Sequence, residues 1–131
     1  MSTRILVIED NEQNLYLTTF MLEKRGHQVI PARDGQAGIE AAVQHRPDLI
    51  LLDIQLPKMD GYAVATELKG RPETREIPIV AVTSYAMVGD RERILATGCQ
   101  GYIEKPINPE TFTTEIEQFL GPKPYPHGET S

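Results

Sequence analysis

Side chains able to bind a metal ion and an anion follow several short apolar segments of this chain. In chain order they are Glu9, Asp10, Asp53, Thr83, Ser84 and Lys105, which Pro106 follows. Asp53 is the most informative, because it directly follows the aliphatic run at residues 49–52, the kind of segment that a fold buries on both faces. Three carboxylates, two hydroxyls and one ammonium could serve one ligand only if the fold brings these segment ends together.

The pattern of apolar residues predicts five strands that alternate with five helices. The predicted strands are residues 5–8, 29–30, 49–52, 79–82 and 102–103. Three of the predicted helices are residues 11–25, 62–69 and 90–96. Another is capped by Asp34 and ends before Pro47, and the last is capped by Asn108 and reaches Leu120. Leu15, Leu17, Phe20, Met21 and Leu22 lie at roughly helical spacing in the first helix. This alternation predicts an α/β, doubly wound parallel sheet covered by helices on both faces.

Length and composition narrow the class of protein. The 131 residues suffice for one compact domain, and a net charge of −6 argues against a nucleic-acid groove and direct DNA binding. Cys99 has no second cysteine to pair with, and neither a signal peptide nor a membrane span is visible, so we expect a cytoplasmic protein. Residues 1–120 are predicted to form the domain, and the Pro- and Gly-rich residues 121–131 a disordered tail.

The acidic residues at the strand ends predict a cation site. Ligands of open parallel sheets bind beyond the carboxyl ends of the strands, so Glu9, Asp10 and Asp53 are expected at one crevice. Carboxylates held together repel one another, and a divalent cation relieves that repulsion. Oxygen ligands without His or Cys favour Mg²⁺ over zinc. The alternative, that these acids are only solvated strand ends, is the weaker interpretation for three acids and a lysine.

Other phosphate-binding sites do not fit this pattern. The loop after the first strand reads EDNEQN, which lacks the glycines of dinucleotide and P-loop sites, and its acids repel any phosphate that no metal bridges. A phosphatase with an aspartate nucleophile and a second Asp two residues later would need that acid where this chain has Gln55.

Four segments in register carry a family resemblance. VIEDN, LILLDIQLPKMDGY, VAVTSYA and YIEKPI, in this order, closely resemble response regulator receiver domains of two-component signalling, over residues 3–120. Within that family the chain is most similar to the stand-alone type found among bacterial cell-division regulators. The segments GDRERI and GCQGYIEKPI also give it a weaker resemblance to receivers attached to hybrid kinases. The resemblance implies a flavodoxin-like receiver fold with the strand order 2-1-3-4-5.

The resemblance also implies a role for each matching residue. Asp53 would accept a phosphoryl group. The expected Mg²⁺ ligands are Asp53, Asp10, Glu9 (mostly through water) and the backbone carbonyl of Gln55. The residues expected to contact the phosphoryl group or to switch are Lys105, Thr83, Ser84 and Tyr102, with a cis peptide bond before Pro106.

The implied function is a single-domain response regulator. Its expected partners are a histidine kinase or histidine phosphotransfer protein as phosphate donor, and a downstream protein effector that reads the face of helix four, strand five and helix five. Two alternatives stay open: a receiver-like scaffold that is not phosphorylated, and a phosphohydrolase acting on external substrates. His27, His45 and His127 are interpreted as surface residues and not as phosphorelay histidines.

Overall fold

Five strands form one parallel sheet in the computed structural model, which describes residues 3–56, 59–84 and 87–120. In chain order the strands are β1 (Arg4–Ile8), β2 (Gln28–Ala32), β3 (Leu49–Asp53), β4 (Ile79–Thr83) and β5 (Gly101–Glu104). Their spatial order is β2-β1-β3-β4-β5, and every neighbouring pair is parallel. The predicted fold class and strand order are confirmed.

Helices cover both faces of this sheet. Among the described residues they are α1 (Glu12–Lys24), α2 (Gly35–His45), α3 (Gly61–Lys69), α4 (Val88–Ala96) and α5 (Phe112–Gln118). Buried side chains of α2, α3 and α4 belong to the hydrophobic cluster on one face, and those of α1 and α5 to the cluster on the other. Alternate β1 residues supply both clusters, because successive side chains of a strand point to opposite faces.

The central strand β3 is buried along its whole length. Leu49 and Leu51 pack into one hydrophobic cluster and Ile50 and Leu52 into the other. Burial of each such aliphatic side chain stabilises the fold by about 1.5–3 kcal/mol. Asp53, the last residue of the strand, is therefore held rigidly at the edge of the sheet where the strands end.

Two predicted boundaries were wrong for identifiable reasons. Strand β2 continues through Pro31 to Ala32, which an edge strand tolerates because one side of it needs no ladder hydrogen bonds. Helix α5 begins at Phe112 and not at Pro109. The carbonyl of Asn108 accepts from Phe112 N at 2.9 Å and its Oδ1 accepts from Glu110 N at 2.9 Å, so Asn108 organises a turn ahead of the helix.

Three side chains do not lie where the pattern suggested. Leu17 and Phe20 of α1 are exposed, whereas Leu15, Met21 and Leu22 are buried. His27 is partly buried and not a free surface side chain: its side chain is 9% exposed, and its Nε2 lies 2.9 Å from Oε2 of Glu117 on α5. No helix of the described residues is long and apolar enough to cross a membrane. The predicted tail, residues 121–131, and His127 within it lie outside the described residues.

Gly61, at the start of α3, closes the loop that follows Asp53. Its N–H donates to the carbonyl of Ile54 at 2.9 Å, and a Cβ on Gly61 would lie 2.4 Å from Ile54 Cα and 2.8 Å from Asp53 O. Backbone atoms cannot move aside as a flexible side chain does, so the only residue that fits here without a shift is glycine.

Gly61→Ala is therefore expected to lower the free energy of unfolding by about 1–3 kcal/mol. The matched control is Gly89→Ala in α4, where an added Cβ would meet nothing within 4 Å. That control should leave stability unchanged or raise it by up to about 1 kcal/mol, since alanine is the better helix former. Urea unfolding of both variants checks the difference, and equal stability of the two would contradict the close packing of Gly61.

Candidate functional site

Three carboxylates meet where β1 and β3 end. Glu9 and Asp10 directly follow β1, and Asp53 is the last residue of β3, which pairs with β1. One carboxylate oxygen from each of the three lies within 4.8 Å of the other two. Glu9 and Asp53 are buried and Asp10 is exposed. The cluster is therefore shielded from solvent on the side of the sheet and accessible to solvent on the side of Asp10.

One ammonium group faces the buried pair. Lys105 Nζ lies 3.3 Å from Asp53 Oδ2 and 3.6 Å from Glu9 Oε1. The backbone holds this side chain over the site, because Lys105 N donates to the carbonyl of Thr83 at 2.8 Å just beyond β5. The peptide bond between Lys105 and Pro106 is cis.

Backbone N–H groups hold the two buried carboxylates in place. Gln55 N donates to Asp53 Oδ1 at 3.0 Å, and Asn11 N donates to Glu9 Oε2 at 3.1 Å. Asn11 also caps α1, since its Oδ1 accepts from Asn14 N at 2.9 Å. The other oxygen of Asp53, Oδ2, faces the ammonium of Lys105.

The neighbouring groups compensate only part of the cost of burying the negative charges of Glu9 and Asp53. The pKa of Glu9 is raised to about 7, mainly by burial and further by a hydrogen bond with Asp53 and by the negative charge of Asp53. The N–H of Asn11 and the charge of Lys105 act in the opposite direction without cancelling the effect. Glu9 resists ionisation because it is buried and because Asp53 lies beside it. A cation would favour the ionised form of all three acids, so this cluster can hold one.

Two residues with hydroxyl groups, Thr83 and Ser84, lie at the end of β4. Thr83, its last residue, is fully buried, and the next residue, Ser84, is exposed. The side chain of Gln55 reaches both of them: its Nε2 donates to Thr83 Oγ1 at 2.9 Å, and its Oε1 lies 3.4 Å from Ser84 N. These side-chain contacts of Gln55 could not be predicted, because nothing in a sequence shows which way a side-chain amide points.

Tyr102 on β5 is half-buried. Its ring packs against the larger core cluster, and the guanidinium of Arg91 on α4 lies 5.6 Å from the ring centroid. A second arginine of α4, Arg93, lies 3.7 Å from the ring centroid of Tyr62 on α3. These two contacts attach α4 to its neighbours, and residue types alone gave no sign of them.

A concave surface opens directly beside the cluster. It has a volume of about 410 Å³ and is lined by Asn14, Leu17, Ser84, Lys105, Pro106 and Ile107. The site residues expected from the sequence thus lie together where the strands end, and they are Glu9, Asp10, Asp53, Gln55, Thr83, Ser84, Lys105 and Pro106. Tyr102 lies within β5, opposite Ala81 of β4.

This fold and this constellation define a class of protein. The family model of the response regulator receiver domain matches residues 5–117, and the chain belongs to that family. Receiver domains are signalling switches that interact with histidine kinases and with downstream effectors. The chain is similar to the polar-differentiation response regulator DivK of Brucella anthropi, with 45% identity over 92% of this chain and 98% of that protein. DivK of Brucella ovis is 44% identical over the same shares.

Solved structures show the same architecture. The receiver domain of a sensor histidine kinase from Pseudomonas aeruginosa superposes with a TM-score of 0.85 at 33% identity, covering 93% of this chain and 100% of that one. That structure holds a magnesium ion in its active-site cleft. Chemotaxis protein CheY4 of Vibrio cholerae gives a TM-score of 0.87 at 24% identity over 91% and 99% of the two chains, a likeness of fold alone.

The raised pKa of Glu9 predicts how the metal-free protein responds to pH. Between about 4.5 and 7 the unfolded chain has already lost the proton that the folded protein retains, so the free energy of unfolding falls as pH rises through this window. Glu9→Gln removes the titrating group and should flatten that decline. Unfolding by urea in the presence of a chelator, from pH 4 to pH 8, measures the difference.

The matched control is Glu73→Gln, which removes one exposed negative charge far from the cluster. Its stability should follow the wild-type pH dependence. A Glu9→Gln curve that runs parallel to wild type would contradict the assigned cause.

Proposed function

We propose that this protein is a phosphorylated response regulator in which Asp53 accepts a phosphoryl group and the face of α4, β5 and α5 controls a partner protein. The observation that carries the proposal is the carboxylate of Asp53, buried to 3% exposure at the end of β3 and facing Lys105 Nζ at 3.3 Å. The protein would promote its own phosphorylation and its slow dephosphorylation, and act as a switch rather than as an enzyme on external substrates.

The acceptor carboxylate is suited to nucleophilic attack on phosphorus. An Asp53 oxygen would form the new P–O bond, while the bond from phosphorus to the donor nitrogen breaks and its electron pair leaves with the donor. The product is a mixed anhydride, an aspartyl phosphate. Charge on the equatorial oxygens during transfer calls for fixed positive groups, and Lys105 supplies one.

A metal ion fits the acidic side of the same site. Glu9, Asp10, Asp53 and the backbone carbonyl of Gln55 would hold Mg²⁺, an all-oxygen set that suits this ion. When bound, Mg²⁺ supplies the positive charge that neutralises the phosphoryl oxygens and the clustered carboxylates. The open side left by exposed Asp10 gives that ion access from solvent.

Output would follow from the charge added at Asp53. A phosphoryl group brings about two negative charges and three acceptor oxygens, which would draw the hydroxyl of Thr83 toward it and let the ring of Tyr102 move inward. Tyr102 lines a groove of about 440 Å³ between β5 and α5, together with Glu104, Glu115 and Phe119. Inward movement of the ring would reshape this groove, where a downstream protein would bind.

The phosphate donor would approach over α1. Tyr16, Leu17 and Phe20 are exposed on this helix at 73%, 40% and 54%, and Leu17 also lines the concave surface beside Lys105. Exposed apolar side chains next to a reactive site are typical of a protein-binding surface. They support a protein donor, a histidine kinase or a histidine phosphotransfer protein.

Asp53→Asn is expected to abolish labelling by radioactive acetyl phosphate in the presence of Mg²⁺, because an amide is not a nucleophile toward phosphorus. The matched control is Asp48→Asn at the opposite end of β3, where the side chain accepts a hydrogen bond from Arg4 N. Labelling of that control should equal wild type. Full labelling of Asp53→Asn would move the acceptor to another residue.

The same assay separates the proposal from its alternatives. Transient labelling of wild type up to one phosphate per chain supports the switch. No labelling would favour a scaffold that is not phosphorylated, and sustained hydrolysis of an external phosphate ester, which is not a donor for Asp53, would favour a phosphohydrolase.

Mg²⁺ is expected to stabilise the protein by relieving carboxylate repulsion. At a concentration about ten times the dissociation constant the gain is about 1.4 kcal/mol. Asp10→Asn should lose most of this gain, whereas Asp48→Asn should keep it. Thermal unfolding with increasing Mg²⁺ checks both variants, and a melting temperature of wild type that does not respond to millimolar Mg²⁺ would contradict the metal site.

A further inference from the structure

The groove between β5 and α5 combines aromatic side chains with negative charge. Its volume is about 440 Å³, and Tyr102 and Phe119 line it as half-buried side chains. Phe119 packs closely against β5, since a Cβ on Gly101 would lie 2.6 Å from its ring. Glu104 and Glu115 are exposed along the same groove, and neither forms an ion pair with another residue of the described ranges. This surface, the α5 groove, therefore suits a ligand with apolar rings and a positive charge.

The chain continues from this groove with a segment of that composition. Residues 121–128, the proline segment, read GPKPYPHG and lie outside the described residues. The segment contains Lys123, Tyr125, His127 and three prolines at alternate positions, and it contains no acid. Its composition predicts no fold of its own. Prolines favour the extended polyproline II conformation, and aromatic grooves bind segments of this kind in many proteins.

The proline segment is long enough to follow the whole α5 groove. The groove extends from Phe119, just after α5, to Thr111 and Asn108, just before it. The seven residues of α5 span about 10 Å. Six residues of polyproline II, such as residues 121–126, extend about 19 Å. Since Phe119 and the proline segment are separated only by Leu120, the segment starts at one end of the groove and can reach the other.

We propose that the proline segment binds in the α5 groove of its own chain. Its proline and tyrosine rings would pack against Tyr102 and Phe119. Lys123 would pair with Glu115, which lies one helical turn before Phe119 on the same face. Because the segment is attached directly after α5, its effective concentration at the groove is on the order of millimolar, and weak contacts suffice to fill the groove.

Bound in this way, the proline segment would compete with the downstream protein for the same surface. This regulatory step depends on the proposed function, because it uses the face of α4, β5 and α5 as the output face. Binding of the segment itself does not depend on phosphorylation, so the two can be tested separately.

A nitroxide label measures where the proline segment lies. Gly128→Cys in the full chain supplies a thiol for the label, whereas the native Cys99 is buried. A bound segment carries the label to the far end of the groove, so the NMR amide signal of Thr111 should broaden at least as strongly as that of Gln118. Broadening that is strongest at Gln118 and fades toward Thr111 would mean that the segment does not bind in the groove, and would overturn the proposal.

Charge reversal in the labelled protein tests the ion pair. Glu115→Lys and Lys123→Glu should each lower the bound population by about two- to fivefold, the size of an exposed ion pair, and the two together should restore it. The matched control is Glu73→Lys, which changes the net charge equally at an exposed residue outside the groove and should broaden Thr111 as the labelled parent does. Unchanged broadening in both single variants, or no recovery in the double variant, would overturn the proposal.

A mixed sample separates the chain's own segment from that of a second copy. Labelled protein is added to unlabelled, isotope-enriched protein, and only the enriched protein gives NMR signals. Binding within one chain leaves the Thr111 signal of the enriched protein unbroadened. Broadening there would assign the groove to a second copy and would overturn the proposal.

Beryllofluoride with Mg²⁺, a stable substitute for the phosphoryl group on the acceptor carboxylate, tests the regulatory step. Inward movement of the Tyr102 ring would remove one aromatic contact, so the broadening of Thr111 should fall. Unchanged broadening in a protein that binds beryllofluoride would overturn the regulatory step alone. Failure to bind beryllofluoride would overturn the proposed function, whereas failure of the segment to bind in the groove leaves labelling of Asp53 intact.

Discussion

The burial of two carboxylates that repel each other, Glu9 and Asp53, is the constraint on which the site depends. Neither group can move away, because each lies at the end of a strand buried between two layers of helices. Lys105 and two backbone N–H groups compensate part of the repulsion, and the pKa of Glu9 still rises to about 7. The folded protein therefore retains unfavourable electrostatic energy from two negative charges held close together, and a bound cation can lower that energy. In the proposed signalling chemistry, Mg²⁺ would bind at these carboxylates for that reason.

Parallel strands explain why so much of the site could be predicted from the sequence. Their carboxyl ends meet at one edge of the sheet, so an acid after β1, an acid after β3 and a lysine after β5 must lie close together once the strands are recognised. The aliphatic run before Asp53 was sufficient to identify the central strand. Boundaries were less predictable where local capping decided them, as at Asn108, or where an edge position relaxed the usual exclusion of proline, as at Pro31.

Contacts between side chains remote in sequence could not be predicted in this way. The amide of Gln55 on Thr83, the guanidinium of Arg91 over Tyr102, and the pairing of His27 with Glu117 each depend on side-chain rotamers and on the packing of whole helices. Periodicity likewise could not separate buried Leu15 from exposed Leu17, because both belong to one apolar segment whose orientation the sheet decides. Two of these contacts, at Thr83 and at Tyr102, involve the residues of the proposed switch.

The most direct measurement compares wild type with Thr83→Ala by NMR, each with and without beryllofluoride, following residues around Tyr102. Thr83 is proposed to transmit the new charge at Asp53 to this ring, while the carboxylates and Lys105 receive it. The variant should therefore still bind beryllofluoride with Mg²⁺, yet lose most of the wild-type shift changes on α4, β5 and α5. A variant that binds beryllofluoride and shows the full wild-type pattern there would contradict the proposed link between the acceptor and the output face.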